Sequence, residues 1–316
     1  MSGGPYEAAT HELNVSEVAA GQRLDAYISH TLDLPRTFAA ELCKTGMIRL
    51  NGKTVAKSGK LKTGDQIVVN IPEREDPLAV KVEIVENLKI IADDPDYVVI
   101  DKPVGVAAHP SPGWVGPTVV GALAAEGYSI STSGAPERQG IVHRLDVGTS
   151  GLMVVAKSER AYSVLKSAFK ERTPEKIYHA VVQGLPDPLQ GTIDAPIGRH
   201  PGHDWKFGVL DGGRDSVTHY KVIEAFGKAS LVEVHLETGR THQIRVHFSA
   251  FGHPCVGDQT YGANPKLGAA LGLTRQWLHA KRLGFTHPVS GDWMSYESQY
   301  PHDLAGALEL LREGTV

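Results

Sequence analysis

Apolar residues fall at helical spacing at Leu24, Tyr27, Ile28 and Leu32, and again at Phe38 and Leu42. Pro35 breaks the chain between the two runs and Gly46 closes the second. Around these helices the pattern shortens to that of strands: 12–18 before them, then 47–50, an Asn51-Gly52 turn, Val55, and a strand over 66–71 entered through Gly64-Asp65. Asn-Gly between apolar residues is a strong hairpin signal, because both central positions of the tight turn need a left-handed backbone. Residues 12–72 therefore predict a compact module of two helices and a small sheet. Pro72-Glu73-Arg74-Glu75-Asp76-Pro77 is charged and poor in apolar residues, and predicts a linker over 73–87.

A larger domain is predicted over 88–312. Runs rich in β-branched residues at 97–100, 152–156, 177–182, 217–223 and 231–236 predict strands. Ala161, Val164, Leu165, Ala168 and Phe169 form one helical face, with Ser158 as its N-cap. Leu304, Ala307, Leu308 and Leu311 form another. Strands outnumber helices and do not alternate strictly with them, which predicts an α+β fold with a mixed, largely antiparallel sheet.

A length of 316 residues, with 41% hydrophobic and 22% charged content, is ordinary for two globular domains. Cys43 and Cys255 are far apart, which argues against a disulfide framework or a cysteine-built zinc site and for a reducing compartment. The first ten residues lack a basic start followed by an apolar run. No apolar stretch reaches the roughly 18–20 residues of a membrane helix, so the expectation is a soluble, cytoplasmic protein with no membrane partner. The net charge of −4 argues against a nucleic-acid partner until its distribution is considered. From Arg36 to Lys62 there are seven basic residues and one acid, Glu41. Charge separated in this way steers an anionic ligand to one end of a molecule.

Four segments carry candidate chemistry. In Gly140-Ile141-Val142-His143-Arg144-Leu145-Asp146-Val147-Gly148-Thr149-Ser150-Gly151-Leu152, an apolar run leads through a basic pair to an acid and a glycine-rich turn. The expectation is Asp146 at the end of a strand, where a rigid element positions it. In Thr238-Gly239-Arg240-Thr241-His242-Gln243-Ile244-Arg245-Val246-His247-Phe248, Ile244, Phe248 and Phe251 have helical spacing, Gly252 can cap the helix, and His242 and Arg245 share a face. Tyr178 sits in the strand-like Lys176-Ile177-Tyr178-His179-Ala180, and Asp101-Lys102-Pro103-Val104-Gly105 reads as a strand followed by a tight turn. Taken singly, each has a bland explanation: a turn-forming aspartate, a solvated basic helix face, a core tyrosine, a structural loop. The 15 histidines invite a metal, but none falls in a His-Glu-x-x-His pattern, so no metal is expected. No phosphate-binding glycine loop is present, so no nucleotide cofactor is expected.

Together, and in this order, His143-Arg144-Leu145-Asp146, Thr149-Ser150-Gly151-Leu152, Tyr178 in its strand and Gly239-Arg240-Thr241-His242-Gln243-Ile244-Arg245 resemble the motif set of the RluA family of pseudouridine synthases. Asp101-Lys102-Pro103-Val104-Gly105, His253-Pro254, Gly257-Asp258, Tyr261-Gly262 and Leu278-His279-Ala280 fit the same pattern. Residues 12–72 resemble the small RNA-binding domain named after ribosomal protein S-four, through Gln22-Arg23-Leu24-Asp25 and Gly46-Met47-Ile48-Arg49-Leu50-Asn51-Gly52-Lys53. With Ser216-Val217-Thr218-His219-Tyr220, this combination is similar to the RluD branch, which modifies large-subunit ribosomal RNA. Val147-Gly148 departs from it where relatives carry a charged pair.

The resemblance implies the pseudouridine synthase fold with a small N-terminal α/β RNA-binding domain. It implies isomerisation of uridine in ribosomal RNA or a ribosomal precursor particle by a monomer without a cofactor. Asp146 would act on the sugar as nucleophile or base, and it must be charged to do so. Arg245 would pair with it and favour that charge, so that removing Arg245 costs about 3–5 kcal/mol if burial is deep. Tyr178 would stack on the flipped uracil and help to take the proton from carbon 5. Arg144 would fill the vacated space, and Leu278 would wall the slot. Arg49, Lys53, Lys57 and Lys60 would contact phosphate. The alternatives are transfer RNA as substrate, a non-catalytic ribosome-assembly factor, and a metal-dependent hydrolase built on the histidines.

Overall fold

The computed structural model describes residues 8–72, 78–203 and 205–314. The chain divides into two compact units, Met1–Ala79 and Val80–Val316. The break falls inside the predicted linker. Residues 73–77 of that stretch lie outside the described residues, and 80–87 belong to the larger unit, where Glu83 N donates to Gly121 O.

The smaller unit runs β1 (Ala9–Asn14), α1 (Leu24–Thr31), α2 (Arg36–Lys44), β2 (Ile48–Leu50), β3 (Lys53–Thr54) and β4 (Gln66–Ile71). Its four strands pair in the order β1-β4-β2-β3, all antiparallel. The expected strand over 12–18 is displaced: it starts at Ala9 and stops at Asn14, opposite Gln66, where the β4 partner begins. Glu17–Ala19 then curls into a 3-10 turn. Asn51 and Gly52 both have positive φ, 50° and 77°, as the tight β2–β3 turn requires. Leu24, Ile28, Phe38 and Leu42 meet Ile48, Ile67 and Val69 in this unit's own core.

The larger unit runs β5 (Lys89–Asp93), β6 (Tyr97–Lys102), α3 (Val119–Ala125), β7 (Ser150–Ala156), α4 (Glu159–Glu171), β8 (Glu175–Gln183), β9 (Gln190–Asp194), β10 (Ile197–Arg199), β11 (Phe207–Val209), β12 (Val217–Ala225), β13 (Ala229–Leu236), α5 (Gln243–Ala250), α6 (Pro265–Ala270), β14 (Leu278–Thr286), β15 (Trp293–Glu297) and α7 (His302–Arg312). Among the described residues the main sheet has the order β5-β6-β7-β14-β8-β13-β12-β9, with β15 also on β14. Every pairing in it is antiparallel except the short β7–β14 contact. The fold is thus α+β with a mixed, largely antiparallel sheet.

β7 is buried along its whole length because both its faces are covered. Met153 and Val155 face the core that includes α3 and α5. Leu152, Val154 and Ala156 face Ala161, Tyr162 and Leu165 of α4. This accounts for a continuous apolar run where a one-sided strand would alternate. α4 starts as expected, with Ser158 Oγ accepting from Ala161 N at 3.1 Å. β14 lies close against β7: a Cβ on Gly151 (φ 114°) would come within 2.3 Å of Ala280 O, so only glycine permits that parallel contact. Among the described residues, no helix is long and apolar enough to cross a membrane.

Candidate active site

Asp146 does not end a strand. Of the segment before it, Ile141 makes a bridge to Val155, and His143 Nε2 then accepts from Val154 N at 3.0 Å. A side chain thus takes the place that a backbone carbonyl would hold in a ladder. Asp146 begins the turn into β7, where its carbonyl accepts from Thr149 N at 3.0 Å. The turn is held by its backbone: Val147 O accepts from Gly105 N at 2.9 Å, and Gly148 O accepts from Arg275 Nη1 at 3.1 Å. Arg275 is itself fixed by a bidentate pair with Asp303. Because carbonyls make these contacts, Val147-Gly148 can replace a charged pair and leave Asp146 in place.

Arg245 comes from the first turn of α5, and its Nη1 donates to Asp146 Oδ2 at 3.3 Å. Its other face is gripped by Asp258, with Nε–Oδ2 at 2.7 Å and Nη2–Oδ1 at 3.0 Å. The Arg245 and Asp258 side chains are 8% and 1% exposed, against 15% for Asp146. Burial opposes the guanidinium charge, but the hydrogen bonds and charge of Asp258, then the charge of Asp146, outweigh it and hold Arg245 above the usual arginine range. The guanidinium also lies over the Tyr261 ring, 4.9 Å from its centroid.

His242 caps α5 in a left-handed conformation (φ 58°), which sets its imidazole between Asp146 (Nε2–Oδ2 3.9 Å) and the Tyr261 hydroxyl (Nδ1–O 2.8 Å). Burial lowers its pKa against the opposing pull of Asp146, so the ring is neutral near pH 7. Tyr178 projects from β8 and is 8% exposed. Burial, then the charge of Asp146, pushes its hydroxyl above the ordinary tyrosine range. It therefore keeps its proton at neutral pH, and acts as a base only by passing that proton on as it takes another. Leu278, the first residue of β14, is buried beside it.

Arg144, Asp146, Tyr178, His242 and Leu278 line one open pocket of about 470 Å³, with Leu236 and Ile244 in its apolar wall. Arg144 is exposed at this pocket. Behind the turn, Lys102 is fully buried, with Nζ donating to Pro103 O and Val106 O, each at 2.9 Å. Burial drives its pKa down to about 7, against the attraction of Asp146. Arg49, Lys53, Lys57 and Lys60 are exposed on the smaller unit, around β2, β3 and the loop after them. Sequence reasoning quoted Asp258, Tyr261 and Lys102 within motifs but gave them no role, and it gave none to His242.

Many histidines are spent on structure: His247 bonds Thr218 Oγ1 and Ala195 O, and His279 bonds Ser150 and Ser298. Among the described residues no three or more His, Cys, Asp or Glu are grouped to hold a metal ion.

The sequence model of the RNA pseudouridylate synthase family matches residues 96–250. The chain is 57% identical over 304 residues to an uncharacterised RNA pseudouridine synthase of Mycobacterium bovis, covering 96% of this chain and 99% of that one. It is 41% identical to the ribosomal large subunit pseudouridine synthase D of Neisseria meningitidis, covering 95% and 81%. Among solved structures it is similar to human RNA pseudouridylate synthase domain containing 4, with a TM-score of 0.56 and 25% identity over 71% of this chain and 92% of that one.

Proposed function

This chain belongs to the RluA family of RNA pseudouridine synthases and isomerises uridine in RNA, and from that premise we propose that its substrate is large-subunit ribosomal RNA and that Asp146 is the carboxylate acting on the ribose. The observation that carries the catalytic part is Asp146 in an open pocket, with Arg245 at 3.3 Å and Asp258 fixing that arginine from behind. The ribosomal part is supported by the similarity to the Neisseria enzyme and by the exposed basic residues of the smaller unit.

The reaction breaks the bond from uracil N1 to ribose C1′ and joins C5 to C1′. A proton leaves C5 and one is gained at N1, so atoms balance without a co-reactant. The target base must first leave its stack, at a cost of about a few kcal/mol. The flat guanidinium of Arg144, at the pocket mouth, takes the vacated space. The base enters between Tyr178 and the apolar wall of Leu278 and Leu236, which sets C1′ against Asp146. Arg245 keeps that carboxylate charged and oriented in a partly dry site. Tyr178 takes the C5 proton as it passes its own to solvent in the open pocket, and solvent returns one proton to N1. The protein acts as a cytoplasmic monomer, and the smaller unit supplies affinity through phosphate contacts that carry no sequence information.

The test is to add wild type or Asp146→Asn to RNA from cells lacking this protein and to map pseudouridine. Wild type should restore sites in large-subunit ribosomal RNA, and the variant should bind that RNA and restore none. Product formed by the variant would remove Asp146 from the chemistry. Sites restored in transfer RNA alone would move the substrate there.

A further inference from the structure

A cavity next to the catalytic pocket concentrates positive charge, most of which the isomerisation proposed above does not use. It is open to solvent, with about 870 Å³ of space between its walls and beyond, and shares Arg144, Tyr178 and Arg240 with the pocket. Lys170, Arg172 and Lys176 complete its basic lining. Glu237 is the acid among these five cations, and its Oε1 already meets His219 Nε2 at 2.6 Å. Among the described residues, none of the five makes an ion pair. Lys176 is 8% exposed, and one of its three N–H groups reaches a protein acceptor, Glu237 O at 3.3 Å. Burial, then repulsion by Arg172, pushes its ammonium down to about 8. Like charges held close together repel, and an anion placed among them relieves the repulsion.

Arg172 gives a second, independent observation. It caps α4 with φ 64° and ψ 28°, a left-handed backbone that glycine ordinarily occupies. An arginine stands where the backbone favours glycine, and it lines this cavity. The helix C-terminus attracts cations and accounts in part for Lys170 and Arg172. It does not account for Lys176 on β8 or for Arg240 before α5.

We propose that this cavity is a docking subsite for a backbone phosphate of a nucleotide flanking the target uridine, held by Lys176 and Arg172 beside the pocket that receives the flipped base. The inference rests on the RNA-modifying function proposed above and extends it to how the strand is threaded. Arg144, common to both spaces, then stands where the strand passes from phosphate subsite to base pocket.

The experiment measures binding of the full chain to a short oligoadenylate as salt is raised. That probe holds no uridine, so binding is read without chemistry. Arg172→Gly and Lys176→Met should each reduce the slope of log K against log salt, and the two together should reduce it by about 0.7, the contribution of one phosphate contact on a single strand. Arg172→Gly should also melt at or above the wild-type temperature, because glycine relaxes the left-handed backbone. Unchanged slopes in both variants, or weaker binding by Arg172→Gly together with a lower melting temperature, would overturn the subsite. Pseudouridine formation by wild type on ribosomal RNA is followed in parallel. Product with unchanged slopes sinks the subsite and leaves the enzymatic reading standing. No product with lowered slopes sinks the enzymatic reading and keeps the phosphate site.

Discussion

Asp258→Asn tests how Asp146, the carboxylate proposed to react, is held. The amide keeps the shape of Asp258 but offers one oxygen where the carboxylate offers two, and it turns an NH2 group towards the guanidinium. One charge-assisted hydrogen bond is lost, worth about 1.5–3 kcal/mol. The Arg245 charge, on a side chain 8% exposed, is left with Asp146 at 3.3 Å as its remaining partner. At this depth solvent screens little, and breaking such a pair costs about 3–5 kcal/mol. For a unit of this size the melting temperature should fall by roughly 6–20 °C. Arg245 then swings fully onto Asp146 and drags the carboxylate off its line to the ribose, so turnover should fall while RNA affinity changes little. Calorimetry and a pseudouridine-release assay read the two effects. A melting temperature within 2 °C of wild type (about 1 kcal/mol or less), or full turnover, would refute the clamp. The double variant Arg245→Met/Asp258→Leu removes the two most deeply buried charges together and leaves the more exposed Asp146 without its guanidinium. It should be more stable than Asp258→Asn alone and still inactive.

Tyr178→Phe should lower kcat with little change in RNA affinity, and unchanged single-turnover rates would leave Tyr178 as a wall of the slot alone. Neutralising Lys53, Lys57 and Lys60 together should weaken RNA binding and flatten its salt dependence; a salt slope equal to wild type would mean that the smaller unit is not the docking surface. Lys102 should make stability rise with pH. Its folded-state pKa of about 7 lies below the ordinary 10.5, so between those values the unfolded chain holds a proton that the folded chain lacks. Denaturant melts from pH 7 to 10 should show wild type gaining stability relative to Lys102→Met; parallel curves would mean that Lys102 is not titrating there.

The segments bearing Asp146, Tyr178 and Arg245 were legible in the sequence because short motifs encode them locally. What supports them was not. Asp258 lies 13 residues beyond Arg245, and nothing in its neighbourhood marks it as the grip on a guanidinium. The 140–146 run reads as a strand from its apolar residues, yet an imidazole replaces the ladder at Val154. β14 was overlooked because Lys281 and Arg282 interrupt its apolar pattern; both are matched by acids, Glu297 and Glu175. Lys102 reads only as part of a strand and turn, because its burial is a property of the tertiary structure alone. The strands over 97–100 and 152–156 were clear for the opposite reason: they are buried on both faces and uniformly apolar.

β14 sits between β7 and β8, although both precede it by about a hundred residues or more. During synthesis the earlier strands emerge with a vacant lane between them, and the lane is filled only when the chain beyond residue 277 clears the ribosome. Leu278 opens that strand, so the slot for the base gains its wall last. The segment 96–250 carries the acid, the tyrosine and the arginine but lacks this strand, so a fragment ending at residue 250 should be inactive.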